Sequence, residues 1–297
     1  MEKILVTGAN GFVGQHLTMV LAKKGYPVIA TGRGVSRLPA NDQQVQYYEA
    51  DISHPFELQQ LIEQEKPEIV VHCAAMSQVD ECEQRQKEAH SINVEATARL
   101  LLDAEEHSRF FIFLSTDFVF DGENGYYKEE DAVNPISWYG HTKLEAEAVV
   151  QTSEIPWAIV RTCLVYGIAP EGGRSTIFSW LKNSLQEGKT IKVVDDQYRT
   201  PTYVNDLSAG IVLLIEQRKT GIWHISGEET FTPYGMAMAI AEKGGWDNKL
   251  LERVTADTFK QVGKRPAKTG FDITKAKKEL GYQPGSFSII AEDLLKY

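Results

Sequence analysis

KILVTGANGFVG, residues 3–14, opens with a short apolar run and then places glycines at Gly8, Gly11 and Gly14. Lys3–Thr7 reads as a buried strand, because a continuous apolar run bounded by a glycine leaves no face for solvent. Phe12–Lys24 follows with helical spacing: Val13, Leu17, Val20 and Leu21 share one side, and Gly25 marks the stop. Glycines between a strand and a helix permit a tight turn, close backbone approach to a pyrophosphate, and close helix–sheet packing. The helix N-terminus then offers free N–H groups to phosphates. A glycine triplet alone is weak evidence, but this one stands in the required strand-to-helix context. Gly8, Asn10, Gly11, Phe12, Val13 and Gly14 are therefore candidate dinucleotide contacts.

The same alternation continues down the chain. Val28–Thr31, Gln46–Ala50, Glu68–Cys73, Phe110–Leu114 and Trp157–Arg161 are short strand-like runs. Pro55–Glu65, Ile92–Glu106 and Tyr139–Val150 have helical spacing. Strands alternating with helices predict a Rossmann-type doubly wound parallel sheet, α/β in class, with helices on both faces. Residues 1–165 suffice for that dinucleotide-binding domain. Residues 166–297 read mainly as a smaller α/β substrate lobe, with a return to the first domain near 190–217. Two lobes imply a cleft, where ligands sit.

Composition excludes several function classes. The chain has 297 residues, 42% hydrophobic and 24% charged, ordinary for a soluble globular protein. A formal net charge of −10 disfavours nucleic-acid and anionic-membrane partners, which need a basic surface. No apolar run approaches the ~18 residues of a transmembrane helix, and the N-terminus lacks a signal-peptide pattern, so a cytoplasmic location is expected. Cys73, Cys82 and Cys163 form no CxxC pair and fit a reducing compartment. The histidines show no HExxH or HxH spacing, so no metal is expected.

The second strand ends Thr31-Gly32-Arg33, with glycine where an acid would bind a ribose 2′-OH and favour NAD. Arg33 suits a 2′-phosphate, and Arg37 can share that role. NADP(H) is therefore preferred, with NAD(H) as the alternative. Asp51-Ile52, after the third strand, is placed to border an adenine ring, although such an aspartate also serves as a cap or turn residue. Cys73-Ala74-Ala75 ends the fourth strand in small residues that let a cofactor lie close.

A later apolar strand ends Ser115-Thr116-Asp117, and Tyr139-Gly-His-Thr-Lys143 follows. Tyr and Lys four apart on a helix lie on one face. A nearby ammonium favours the phenolate and lowers the tyrosine pKa, which tunes it for proton transfer. A hydroxyl at a strand's C-terminal end faces the ligand crevice of an open α/β sheet. Thr116, Tyr139 and Lys143 are therefore the candidate catalytic set.

These residues resemble the extended short-chain dehydrogenase/reductase family over nearly the whole chain. GANGFVG, the strand-end CAA, Asn93, STDFVFDG, YGHTK and PTYVNDLSAG carry the resemblance. Its dTDP-4-dehydrorhamnose reductase branch looks nearest, with a similar STD-x-VFDG segment, VD-x-x-E at Val79–Glu83, and a DQ…PT segment at Asp196–Thr202. The resemblance implies transfer of a hydride from NADPH to the C4 carbonyl of a nucleotide-linked 4-keto-6-deoxysugar. Tyr139 would give the proton, Thr116 would hold the carbonyl oxygen, and Lys143 would bind the nicotinamide ribose. Asn93 would join the cofactor contacts. Asp117 would orient sugar hydroxyls, and Val79 would line the substrate site.

Some positions depart from that branch. Leu164 stands where it commonly carries tryptophan, and Arg199 where glycine is common. Other members use an arginine there for the substrate diphosphate, so Arg199 and Arg265 are the candidate forks, with Arg174 weaker. Phe118 occupies the place of the glutamate base of the 4,6-dehydratases, which disfavours dehydration. Cys163 and His141 do not match the Cys and His pair of the epimerising reductases. Tyr166, Phe178, Trp180 and Tyr198 either line a base or sugar pocket or pack in the core, and core packing is favoured. Two alternatives stand beside the reductase. One is a non-catalytic dinucleotide-binding regulatory subunit resembling the methionine adenosyltransferase β-subunit. The other is a reductase or epimerase of another sugar or carbonyl. A homodimer is left open.

Overall fold

A computed structural model describes residues 1–39, 42–169 and 175–297. Its first half runs β1 (Ile4–Thr7), α1 (Phe12–Lys23), β2 (Val28–Gly32), β3 (Val45–Glu49), α2 (Pro55–Glu65) and β4 (Ile69–His72). It continues with α3 (Val79–Gln84), α4 (Gln86–His90), α5 (Ala96–Ala104), β5 (Phe110–Thr116), α6 (Trp138–Gln151) and β6 (Trp157–Thr162). These strands lie in one sheet, joined by the later β10 (Gly221–His224), in the order β10-β6-β5-β4-β1-β2-β3. Every pairing in it is parallel. The fold is the Rossmann-type α/β arrangement, and the strand order reverses between β1 and β4. At such a reversal the connections leave toward opposite faces and open a crevice beyond the strands' C-terminal ends.

Period-two alternation divides the strand side chains between two cores. Ile4, Val6, Val28, Ala30, Ile69, Val71 and Ile112 face α1 and α8 (Val204–Gln217). Leu5, Ile29, Val70, Phe111 and Ile159 face α2, α5 and α6. Because both faces are covered, the strands read as unbroken apolar runs.

After β6 come β7 (Val165–Tyr166), α7 (Ile177–Gln186), β8 (Ile191–Val194) and β9 (Thr202–Tyr203). Beyond β10 lie α9 (Pro233–Gly244), β11 (Leu251–Val254), α10 (Thr274–Leu280) and α11 (Phe287–Leu294). Phe178, Leu181, Val193, Met236, Ile240, Leu251, Phe287 and Leu294 form a separate core there. Of the stretch 190–217, β8 pairs with β11 outside the main sheet. The return itself is made by α8, which packs on α1, and by β10, which pairs with β6. Phe271, Ile273 and Leu280 also join the main core, so a C-terminal segment comes back as well. A strand with one edge strand for a partner carries no local mark of which sheet it joins.

No helix among the described residues is long and apolar enough to cross a membrane.

Candidate active site

The glycine loop is built for close approach. Gly8 has φ +70, and a Cβ there would lie 2.8 Å from the backbone of Ala74 at the end of β4. A Cβ on Gly14 would lie 2.2 Å from the Gly8 carbonyl oxygen. The loop therefore packs on itself and on the Cys73-Ala74-Ala75 segment with no space for side chains. Gly11 caps α1 without a side-chain hydrogen bond, and the first turn holds no acidic residue. Its N–H groups and positive dipole end are left for an anion. This cradle fits a dinucleotide pyrophosphate. Gly14→Ala is expected to abolish the thermal stabilisation that saturating NADP⁺ gives the wild type, and to lower the melting temperature of the free protein by overpacking.

Asn10 does not face the crevice freely. Its amide donates to the carbonyls of Arg33 and Val35 and to the Tyr47 hydroxyl, at 2.9, 3.0 and 2.8 Å. Its oxygen accepts from Arg37 N at 2.9 Å. Asn10 thus pins the loop after β2, and that loop carries Arg33 and Arg37, both exposed. Neither arginine makes a side-chain ion pair among the described residues. Gly32 packs against Asn10, where a Cβ would sit 3.2 Å away, so an acidic side chain would be crowded there.

Asp51 and Ile52 follow β3, as read from the sequence. Asp51 Oδ1 accepts from the Ser53 N–H and hydroxyl at 2.9 and 2.8 Å, so it organises the turn before α2. Asn93 is buried and fully engaged. Its Oδ1 accepts from Met76 N at 2.8 Å, and its amide donates to Met76 O and the Thr142 hydroxyl at 3.0 and 2.9 Å. It ties the chain after β4 to the helix of Tyr139 and Lys143. The 91–95 turn that carries it widens to a π-helical turn, a distortion common at functional sites.

Thr116 lies beside Tyr139 where β5 ends against α6, and Lys143, one turn along the helix, reaches Phe113 of β5. Ser137 caps α6 by accepting from Gly140 N at 3.1 Å. Gly140 is where the helix touches the loop after β5: a Cβ would lie 2.2 Å from Phe118 O. The glycine inside YGHTK therefore lets Tyr139 approach Thr116, and Phe118 meets the Tyr139 ring edge-on at 5.9 Å.

The electrostatics differ from the sequence expectation. Burial dominates at Tyr139 and holds its phenol above the ordinary value, while the Thr116 hydroxyl pulls it down. Lys143 is not among the charges acting on the phenol. It is buried itself, with Nζ 3.8 Å from the Phe113 ring centroid. Loss of hydration pushes it down to about 7, and Glu147 opposes that shift. No side chain or carbonyl of the described residues hydrogen-bonds Lys143 Nζ, which leaves its donors for a ligand hydroxyl.

Two residues that sequence reasoning passed over hold this helix in place. Glu147, fully buried, receives Arg161 Nε and Nη2 at 3.0 and 2.7 Å. Ser115 donates to the same carboxylate at 2.5 Å. The signals were there: Glu147 lies one turn past Lys143, and Arg161 ends the apolar run WAIVR.

The substrate candidates are largely occupied by the protein. Arg199, 4% exposed, donates to the carbonyls of Tyr198, Ala267 and Pro266 at 2.9, 3.1 and 2.7 Å. A guanidinium that deep must satisfy its donors locally. Arg265 forms a two-pronged pair with Asp80 at 3.1 and 2.9 Å, and Asp80 also accepts from Val262 N and Gly263 N. The pair straps the 262–265 segment over α3, with Gly263 against Val79. Asp117 is 3% exposed and accepts from Thr116, Cys163 and Thr269, with Arg199 Nε nearby at 3.8 Å. Tyr166 and Phe178 are core residues, whereas Trp180 and Tyr198 are 41% and 44% exposed. Arg174 lies outside the described residues.

The chain is similar to known proteins over nearly its whole length. Residues 1–296 match the family described as RmlD substrate binding domain. The chain is 29% identical to a dTDP-4-dehydrorhamnose reductase of Aggregatibacter actinomycetemcomitans, over 100% of this chain and 99% of that one. It is 30% identical to methionine adenosyltransferase 2 subunit beta of Bos taurus, over 92% of this chain and 81% of that one. Among solved structures it resembles dTDP-4-dehydrorhamnose reductase of Bacillus anthracis in complex with NADP. The TM-score is 0.86 and the identity 25%, covering 99% of each chain.

Proposed function

Since the chain belongs to the RmlD substrate binding domain family, a branch of the extended short-chain dehydrogenases/reductases, we propose that it reduces the 4-keto group of a nucleotide-linked deoxysugar with NADPH. The supporting observation is that Thr116 ends β5 beside Tyr139 of α6, with Lys143 one turn along that helix, at the same edge of the parallel sheet where β1 runs into the glycine loop.

NADPH, when bound, supplies the hydride that the carbonyl carbon takes up. The chain's own residues handle binding and the proton. The Gly8–Gly14 loop and the N-terminus of α1 hold the pyrophosphate. Arg33 and Arg37 receive the 2′-phosphate from a loop that Asn10 keeps in place. Lys143 donates to the nicotinamide ribose. Tyr139 gives its proton to the carbonyl oxygen, and burial suits it to that task by keeping the phenol protonated. Thr116 hydrogen-bonds the same oxygen. Of the four aromatics read from the sequence, Trp180 and Tyr198 are the exposed ones available to a base or sugar. Asp51, Ile52, Cys73, Ala74 and Ala75 border the cofactor through backbone and small side chains.

Purified protein should oxidise NADPH when given dTDP-4-keto-6-deoxymannose. Silence across a panel of 4-ketosugar nucleotides would overturn the reading. Arg33→Ala with Arg37→Ala should raise the Kd for NADP⁺ by at least about tenfold while leaving NAD⁺ affinity within about twofold, as loss of a charge-assisted phosphate contact predicts. Isothermal titration reads both.

A second reading is favoured by the likeness to the methionine adenosyltransferase subunit: a dinucleotide-binding regulator. The complete Thr116, Tyr139 and Lys143 set supports the enzyme. Co-purification with a catalytic partner, together with no reductase activity, would support the regulator. We also place the protein in the cytoplasm, a reading supported by its unpaired thiols at Cys73, Cys82 and Cys163. Light scattering would decide whether it is a homodimer.

A further inference from the structure

Thr116 has one hydroxyl proton and two claimants for it. To hold a substrate carbonyl it must donate toward the crevice. In the structure its oxygen lies 3.1 Å from Asp117 Oδ1, to which it donates if that carboxyl is ionised, while it accepts from Phe118 N at 3.2 Å. An ionised Asp117 would keep that proton, because a carboxylate only accepts.

Several features bear on the state of Asp117. Its second oxygen accepts from the Thr269 hydroxyl and from the Cys163 thiol at 3.3 Å. Its one cationic neighbour among the described residues, Arg199, stands with Nε 3.8 Å from that oxygen, beyond hydrogen-bond range, and its other donors are spent on carbonyls. The charge-assisted bond that stabilises a buried carboxylate is therefore missing. Burial acts in the same sense and moves the carboxyl upward, against the pull of Arg199, Thr269, Cys163 and Thr116. The titratable groups around it are Arg199 from the Asp196–Thr202 segment, Cys163 from the end of β6, and Tyr139 from α6.

We propose that Asp117 is a positioning residue for the reduction: protonated, it donates to Thr116 Oγ1 and so turns the Thr116 hydroxyl onto the carbonyl oxygen of the substrate. Asp117 touches no substrate in this role. It acts through Thr116, and together Thr116 and Tyr139 then present two donors to one oxygen. The proposal rests on the ketoreductase reading above.

The neighbours also dictate how an amide would sit. Thr269, Cys163 and Arg199 are all donors, so Asp117→Asn must turn its oxygen to them and its NH₂ to Thr116. The amide then reproduces the protonated acid.

The test begins with infrared spectroscopy of the full chain, without substrate. A protonated-carboxyl band should be present at neutral pH in the wild type and absent in Asp117→Asn. With NADPH and a 4-ketosugar nucleotide, Asp117→Asn should keep kcat within about tenfold. Asp117→Ala should lower kcat by about a hundredfold or more, the usual cost of a lost oxyanion donor, with KM little changed. Asp117→Ala leaves a buried gap and risks misfolding, so Thr269→Val serves beside it. Removing one donor to the carboxylate should shift loss of the infrared band to higher pH. A fall of kcat that arises from Lys143 would not move with it. A merely structural Asp117 would lower the melting temperature in these variants without the band. Absence of the band wherever the enzyme turns over would overturn the proposal, as would an Asn variant as slow as the Ala variant. Should the wild type reduce no ketosugar, the function reading fails, while the band still decides the state of Asp117.

Discussion

Tyr139→Phe should cut kcat for ketone reduction by about 10²–10⁴-fold, the range for removing a positioned general acid. The substitution removes one oxygen and keeps the ring that packs edge-on against Phe118. Fold, cofactor cradle and Lys143 should therefore be undisturbed. NADP⁺ should still raise the melting temperature, since the glycine loop and Arg33 lie on other elements. Stopped-flow absorbance of NADPH reads the chemical step, and a thermal shift with NADP⁺ checks that the cofactor still binds. Turnover that survived the substitution would remove Tyr139 from the mechanism. A loss of NADP⁺ binding would mean the variant had damaged the site as a whole.

Glu147→Ala should be the most damaging single change to stability outside the glycine loop. It strips Arg161 of its carboxylate partner at a place where neither is reached by water. Breaking a buried pair on one side costs about 3–5 kcal/mol, because the remaining charge is left uncompensated. Among the described residues Arg161 keeps only a long contact to Glu129 O at 3.5 Å and the face of Phe120, 5.2 Å from its centroid. Urea unfolding should show the loss as a lower midpoint with little change in slope. The double variant Glu147→Leu with Arg161→Met should recover much of it, since apolar replacement of both partners removes the stranded charge. It should recover less activity than stability. Glu147 also supports the ammonium of Lys143 one turn away, and an apolar residue cannot. A single variant as stable as the wild type would show that the pair is not the tie between α6 and the sheet.

Much of the site was legible because its signals are local. KILVTGANGFVG holds a strand, a tight turn and a helix start within one short segment, and each follows from periodicity or from a missing side chain. Tyr139 and Lys143 share a face because a helix repeats at i+4, and the strand before them ends in Thr116. Those relations need no knowledge of distant residues. The roles of Asn10, Asn93, Arg199 and Arg265 were of another kind. Each is a polar group whose donors and acceptors must be satisfied, and the partner that satisfies it lies elsewhere. Arg265 is claimed by Asp80, and Arg199 by carbonyls of the 266–267 segment. An arginine free to bind phosphate and an arginine locked to the backbone look the same in one dimension.

The expected effect of Lys143 on Tyr139 failed for a related reason. Spacing places the two on one face but does not say how deep that face lies. Depth costs the ammonium its hydration and raises the phenol, so burial outweighs proximity.

The sequence by itself determined the parallel α/β fold and pointed to the glycine loop and to Thr116, Tyr139 and Lys143 as candidates, since these rest on neighbouring residues and on steric rules that act over a few positions. Only the tertiary structure decided which polar groups are spent on the protein and which are left for a ligand. That balance depends on burial, and on partners that folding brings from far along the chain.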